Sequence, residues 1–205
     1  MIKYIQISGF IENEGFYSTA GKVLQKAIVN QEKCVFIASK TEEFRANDER
    51  MQCISGWFRA LNIEFKQIAV MDERLTKQEV MNEIVSASCI YLMGGNTKRQ
   101  FEFIHQYELA EALKNFEGVV VGLSAGAINM AKLGLVDSYV IPHFGNYNKE
   151  YLEAEIMPRT YERIIYGLHD DGVIAHSDNN TFYAGEIFEL KEGVVRPFSQ
   201  FSTNQ

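Results

Sequence analysis

Short apolar runs rich in β-branched residues alternate with longer stretches of helical period through the first two-thirds of this chain, and that alternation narrows the fold more than any other feature. Tyr4–Ser8, Cys34–Ala38, Ile63–Val70, Ser88–Met93 and Gly118–Gly122 read as strands. Between them Ala20, Val23, Leu24, Ala27 and Ile28 mark one apolar helix face, and Met51, Ile54, Phe58 and Leu61 mark another, with Trp57 beside it as core packing. Thr76-Lys-Gln-Glu79 is a capping box that starts a helix at Lys77, and Thr97-Lys-Arg-Gln100 has the same form. Tyr107 to Phe116 is again helical. Repeated strand-helix-strand order with continuously apolar strands predicts an α/β fold, a doubly wound and mostly parallel sheet with helices on both faces. Ligands then bind beyond the carboxyl ends of the strands.

Past Ser124 the pattern changes. Leu135–Ile141 is strand-like and leads into the loop Pro142-His143-Phe144-Gly145-Asn146. Pro158 suits the first turn of a helix with Ile164, Ile165 and Leu168 on its apolar face. Val173–His176 is a further strand, and Thr181–Phe198 reads as a C-terminal antiparallel β extension turning at Lys191-Glu192-Gly193. Ser202–Gln205 is expected to fray. No repeat or linker interrupts the chain, so residues 1–205 are expected to form a single domain.

The charge balance argues against some partners. A net charge of −7 without a basic run disfavours nucleic acid and anionic membrane. The N-terminus lacks the long apolar core of a secretory signal, and no stretch is apolar enough to span a bilayer. Cys34, Cys53 and Cys89 are odd in number, lack metal-ligand spacing and sit in apolar segments; buried reduced thiols and a cytoplasmic location are expected.

Chemistry concentrates at Gly122-Leu-Ser124-Ala-Gly126, a G-x-S-x-G sequence between a β-branched run and small residues that begin a helix. Such a turn would push the Ser124 hydroxyl above the sheet and aim the Ala125 amide at a developing oxyanion. A tight packing turn would use the same residues. A serine nucleophile needs a base, and the base an orienting acid. His105, within a helix, and His169, at a helix end beside Asp170 and Asp171, read as surface residues. His143, behind Pro142, and His176, in a strand two residues before Asp178, are the remaining bases. Asp137 falls near the start of its strand, so Asp178, near a strand end, is the chosen acid, although Ser-Asp-Asn-Asn is also good turn chemistry.

With Gly94-Gly95-Asn96-Thr97, Gly122-Leu-Ser-Ala-Gly-Ala127 and Pro142-His143-Phe144 in this order, the chain resembles the S51 peptidases, the family of peptidase E and cyanophycinase. Their fold is related to the class I glutamine amidotransferases, with serine in place of cysteine. The resemblance implies a serine peptidase-like hydrolase that cleaves a small peptide or amide through an acyl-enzyme, dipeptidase E-like, without a metal or organic cofactor. It assigns Ser124 as nucleophile, His143 as base, and the amides of Gly95 and Ala125 as the oxyanion hole. The family's acid is usually a glutamate; Asp178 stands at the corresponding spacing with a side chain one methylene shorter.

Asn96, Arg159 and Arg163 are candidate substrate contacts, with Lys98 and Arg99 as further cations; Arg159 and Arg163 also read as solvated charges on a helix face. The glycine-flanked Ile11–Phe16 stretch is expected to edge the pocket. A monomer or homodimer is expected. Two rivals remain: an α/β-hydrolase esterase, which would need Asp137 followed by His176, and a non-catalytic ligand-binding member of the same fold.

Overall fold

The structure is a computed structural model that describes residues 1–198; the expected fraying of Ser202–Gln205 lies outside these. In chain order the elements are β1 (Ile2–Ile7), α1 (Ser18–Ala27), β2 (Lys33–Ile37), α2 (Phe44–Ala60), β3 (Gln67–Met71), α3 (Lys77–Val85), β4 (Cys89–Leu92), α4 (Thr97–Gln106), α5 (Ala110–Lys114), β5 (Val119–Leu123) and α6 (Ala125–Lys132). There follow β6 (Tyr139–Ile141), β7 (Ile165–Leu168), β8 (Val173–Ser177), β9 (Thr181–Ala184), β10 (Ile187–Lys191) and β11 (Val194–Pro197).

Seven strands form the main sheet in the order β3-β2-β4-β5-β1-β8-β9. The first five are mutually parallel, whereas β8 runs antiparallel to β1 and β9 antiparallel to β8. Alternate side chains leave the sheet on opposite faces. Ile5, Ile7, Phe36 and Tyr91 meet Leu24, Ile54 and Phe58 of α1 and α2. Val35, Ile37, Ile90, Leu92 and Val120 meet Val80, Ile104, Leu113 and Met130 of α3 to α6. A second sheet, β11-β10-β7-β6, is antiparallel except for the β6–β7 pair. Its β10–β11 hairpin turns at Glu192 and Gly193, both at positive φ. Among the described residues, no helix is long and apolar enough to cross a membrane.

Several local expectations hold. Thr76 and Glu79 form the reciprocal capping box that starts α3. Others change. The cap of α4 is Asn96, whose side chain accepts the Arg99 amide; Gln100 instead is buried and donates to the carbonyls of Ile37 and Met93. Ile63 is buried just beyond α2, and the strand begins only at Gln67. The Tyr107–Phe116 stretch is broken where Glu108 takes φ +60°. Ile165 and Leu168 belong to strand β7, and Pro158 sits in a 3-10 turn over Met157–Tyr161. Cys34 and Cys89 are buried in register on β2 and β4, but Cys53 is exposed.

Candidate active site

The carboxyl ends of β1, β2, β4 and β5 deliver Ser8, Ser39, Gly94-Gly95 and Ser124 to one edge of the main sheet. Strand β5 is buried along its whole length and passes directly into α6 through Ser124, whose backbone is at φ 48°, ψ −102°. A non-glycine residue at positive φ is strained and needs surroundings that hold it. The glycines on each side supply the room. A Cβ on Gly122 would lie 2.7 Å from the Ala127 nitrogen, and one on Gly126 would lie 2.3 Å from the Leu92 oxygen. The Ser124 amide donates to the Ile7 carbonyl at 2.8 Å, which ties the turn to β1.

His143 occupies the left-handed region, at φ 55°, between Pro142 and a 3-10 turn over Phe144–Asn146. Its backbone is pinned by a fully buried hydroxyl: Ser8 Oγ accepts the His143 amide at 2.9 Å and donates to the Leu168 carbonyl at 3.0 Å. Phe144 is packed against Gly167 of β7, where any Cβ would come within 2.5 Å of the ring. So held, His143 Nε2 lies 3.2 Å from Ser124 Oγ.

The carboxylate behind the imidazole is Asp170, not Asp178: Asp170 Oδ1 is hydrogen-bonded to His143 Nδ1. Strand direction explains the correction. Because β8 is antiparallel to β1, its carboxyl end lies beside the amino end of β1, with Ser177 opposite Ile2. Asp178 therefore stands at the far edge of the sheet, exposed, 3.8 Å from the N-terminal ammonium. The turn that precedes β8 is the part that reaches the crevice. There the Gly9 amide donates to the Asp170 carbonyl at 3.1 Å, and the Ser8 amide to that of Gly172 at 3.0 Å. A side chain at position 9 would displace this carboxylate, since a Cβ would lie 2.9 Å from Asp170 Oδ1.

The esterase pair is not assembled at Ser124. His176 Nε2 lies 2.9 Å from Ser138 Oγ and 3.1 Å from Gln6 Oε1, an acceptor that fixes the ring proton on Nε2. Burial pushes its pKa down to about 4, opposed by the charge of Asp137, so the ring is neutral.

Ser124 and His143 open onto a cavity of about 680 Å³ that Gly94 and Gly95 also line. Gly95 is at φ +132°, and its amide donates to no acceptor among the described residues. The amide of Ala125, first in α6, is likewise without an intrahelical acceptor. The far wall is one face of α2, with Ala46, Glu49, Arg50, Cys53 and Trp57 at helical spacing. Phe10, Glu12 and Asn13 complete it, so the Ile11–Phe16 stretch does edge the cavity, closed into a tight turn by an Ile11–Gly15 bridge. Trp57 both packs on the core and faces the cavity, 4.8 Å from the Phe10 ring.

The expected substrate contacts lie elsewhere. Arg159 and Arg163 line a separate cavity with Ile128, Lys132 and Tyr139, where Arg159 pairs with Glu155 and Arg163 stacks on Tyr139 at 4.4 Å. Asn96 is engaged in capping α4, and Lys98 and Arg99 pair with Glu102 and Glu42. The cation at the Ser124 cavity is Arg50, half-buried and without a carboxylate partner among the described residues. Its signal in the sequence is the second stripe on α2, one residue out of step with the core stripe of Met51, Ile54 and Phe58.

The model of a family described as Peptidase family S51 matches residues 5–132. Among curated proteins none matches. Two solved structures share the fold: a peptidase from an acI-B1 Actinobacterium (TM-score 0.73, 15% identity, covering 98% of this chain and 96% of that one), and a structure described as a peptidase E protein from Listeria monocytogenes EGD-e (TM-score 0.66, 16% identity, 90% and 98%).

Proposed function

The chain belongs to peptidase family S51, and from that premise we propose that it is a serine-type peptidase that cleaves small peptides through an acyl-enzyme. The observation that carries this reading is the contact of Ser124 Oγ with His143 Nε2 at 3.2 Å, with Asp170 bonded to the other ring nitrogen.

Asp170 accepts from Nδ1–H, which leaves the Nε2 lone pair facing the serine. His143 takes the Ser124 proton as Oγ attacks the substrate carbonyl, and the amides of Gly95 and Ala125 stabilise the oxyanion. Collapse breaks the C–N bond, His143 gives the proton to the leaving amine, and an acyl-Ser124 ester remains. Water, deprotonated by His143, then releases the acid and restores the serine.

A cavity of about 680 Å³ suits a peptide of a few residues. Arg50 offers a partner for a substrate carboxylate, and Glu12, which also lines the cavity, one for an ammonium, so a short zwitterionic peptide is the favoured class.

A dipeptide library assayed against wild type and Ser124→Ala, with fluorophosphonate labelling alongside, tests the reading. Turnover and labelling that vanish with Ser124 are expected. If wild type neither hydrolyses a peptide nor takes the probe, the protein is a ligand-binding relative and the hydrolase reading fails.

A further inference from the structure

We propose that Ser39 is a positioning residue that sets the Gly95 amide as an oxyanion donor; this rests on the hydrolase reading above. Ser39 follows β2, is fully buried, and does not itself line the cavity. Its hydroxyl donates to the Gly94 carbonyl at 2.6 Å, a short bond across the gap between β2 and β4. Arg50 Nη1 reaches the same oxygen at 3.5 Å, the limit of hydrogen-bond distance.

The peptide joining Gly94 to Gly95 is planar, so its carbonyl and its N–H point in opposite directions. Holding the Gly94 oxygen on the Ser39 side fixes the N–H of Gly95 on the other. Such anchoring is needed because Gly94-Gly95 has no side chains to pack, and glycine has the widest range of backbone conformations. Gly95 also sits at φ +132°, outside the range most residues adopt. The fit is close enough that a Cβ on Gly95 would fall 2.4 Å from Ser39 Oγ, so a side chain here would collide with its own anchor. A donor at the carbonyl also polarises the peptide, which strengthens the N–H on the far side as a donor in turn. The other amide, that of Ala125, needs no such device because α6 fixes it.

A positioning role predicts a loss confined to the transition state. Ser39→Ala is expected to lower kcat roughly tenfold to a hundredfold with KM within about threefold. A peptide boronate, which mimics the tetrahedral adduct, is expected to bind weaker by the same factor, while the carboxylic acid product binds unchanged. Ser39→Thr, which keeps the hydroxyl, is expected to recover most of the loss. Unchanged kcat and boronate affinity in an active, folded Ser39→Ala protein overturns the assignment and leaves the hydrolase reading standing. Equal weakening of boronate and product overturns it too, because that pattern marks general disruption of the cavity. Should Ser39→Ala not fold, the same comparison is made on Ser39→Cys, a weaker donor; equal boronate affinity there overturns the proposal. A wild-type protein inert to peptides and fluorophosphonate overturns both.

Discussion

His143 Nδ1 meets Asp170 Oδ1, a carboxylate presented by the turn that begins an antiparallel strand and not by the end of a parallel one. Asp170→Asn is therefore expected to lower kcat by roughly 10²–10⁴-fold through loss of the tautomer that Asp170 selects. Asp178→Asn, at the opposite edge of the sheet, is expected to leave kcat within about twofold. Steady-state assays of the two variants decide; the reverse ranking would return the acid's role to Asp178.

The elbow glycines are expected to resist even one added carbon. Gly126→Ala drives a methyl against the Leu92 carbonyl and is expected to lose roughly 1–3 kcal/mol or more, read as a fall in urea midpoint. Gly56, in the middle of α2, provides the contrast, because the nearest atom to its added Cβ is Arg59 Nη2 at 3.7 Å. Gly56→Ala is expected to stabilise by roughly 0.5–1 kcal/mol. A neutral Gly126→Ala would contradict the packing described for the turn.

Stability is expected to fall in mild acid because of His176. Its pKa is depressed to about 4 by burial, from an ordinary value near 6.5. Between these values the unfolded chain binds the proton and the folded chain does not, so stability rises with pH across that window. The contribution is complete above pH ~6.5 and is lost as pH falls through about 4, with a magnitude on the order of 3 kcal/mol. Urea unfolding of wild type and His176→Gln at a series of pH values checks it. The stability difference between the two should narrow as the pH drops; a difference independent of pH would mean that His176 does not titrate as described.

Substrate charge is expected to be read by Arg50. Arg50→Ala should raise KM roughly tenfold for a peptide bearing an additional carboxylate and much less for its amide counterpart. Arg159→Ala and Arg163→Ala, which face a different cavity, should leave both constants within about twofold. Competition kinetics on the paired peptides measure this, and equal effects on acid and amide would remove Arg50 from recognition.

Much of the fold could be read from the chain because local signals agreed with tertiary ones. The run Cys34–Ala38, the Thr76–Glu79 box and the small residues around Ser124 each allow essentially one local structure, and each takes it. Ile164, Ile165 and Leu168 misled because their spacing fits one turn of helix as well as a four-residue strand, and only pairing with β6 and β10 makes β7. Ser124 and His143 lie in distinctive short motifs. Asp170 does not, since its place depends on the direction of β8, which hydrogen bonding to β1 sets and residue pattern does not encode. Arg50 was masked in a similar way, on a helix face whose exposure matters only once a cavity lies beside it.

The reversal of β8 also orders events during synthesis. Residues 5–132, which carry Ser124, Gly95 and Ala125, leave the ribosome before His143 and Asp170 do. Until the turn at Asp170 adds itself to the edge of β1, the His143 imidazole lacks the carboxylate that meets its Nδ1. In the proposed mechanism a growing chain therefore carries Ser124 before it has the histidine and carboxylate that would activate it.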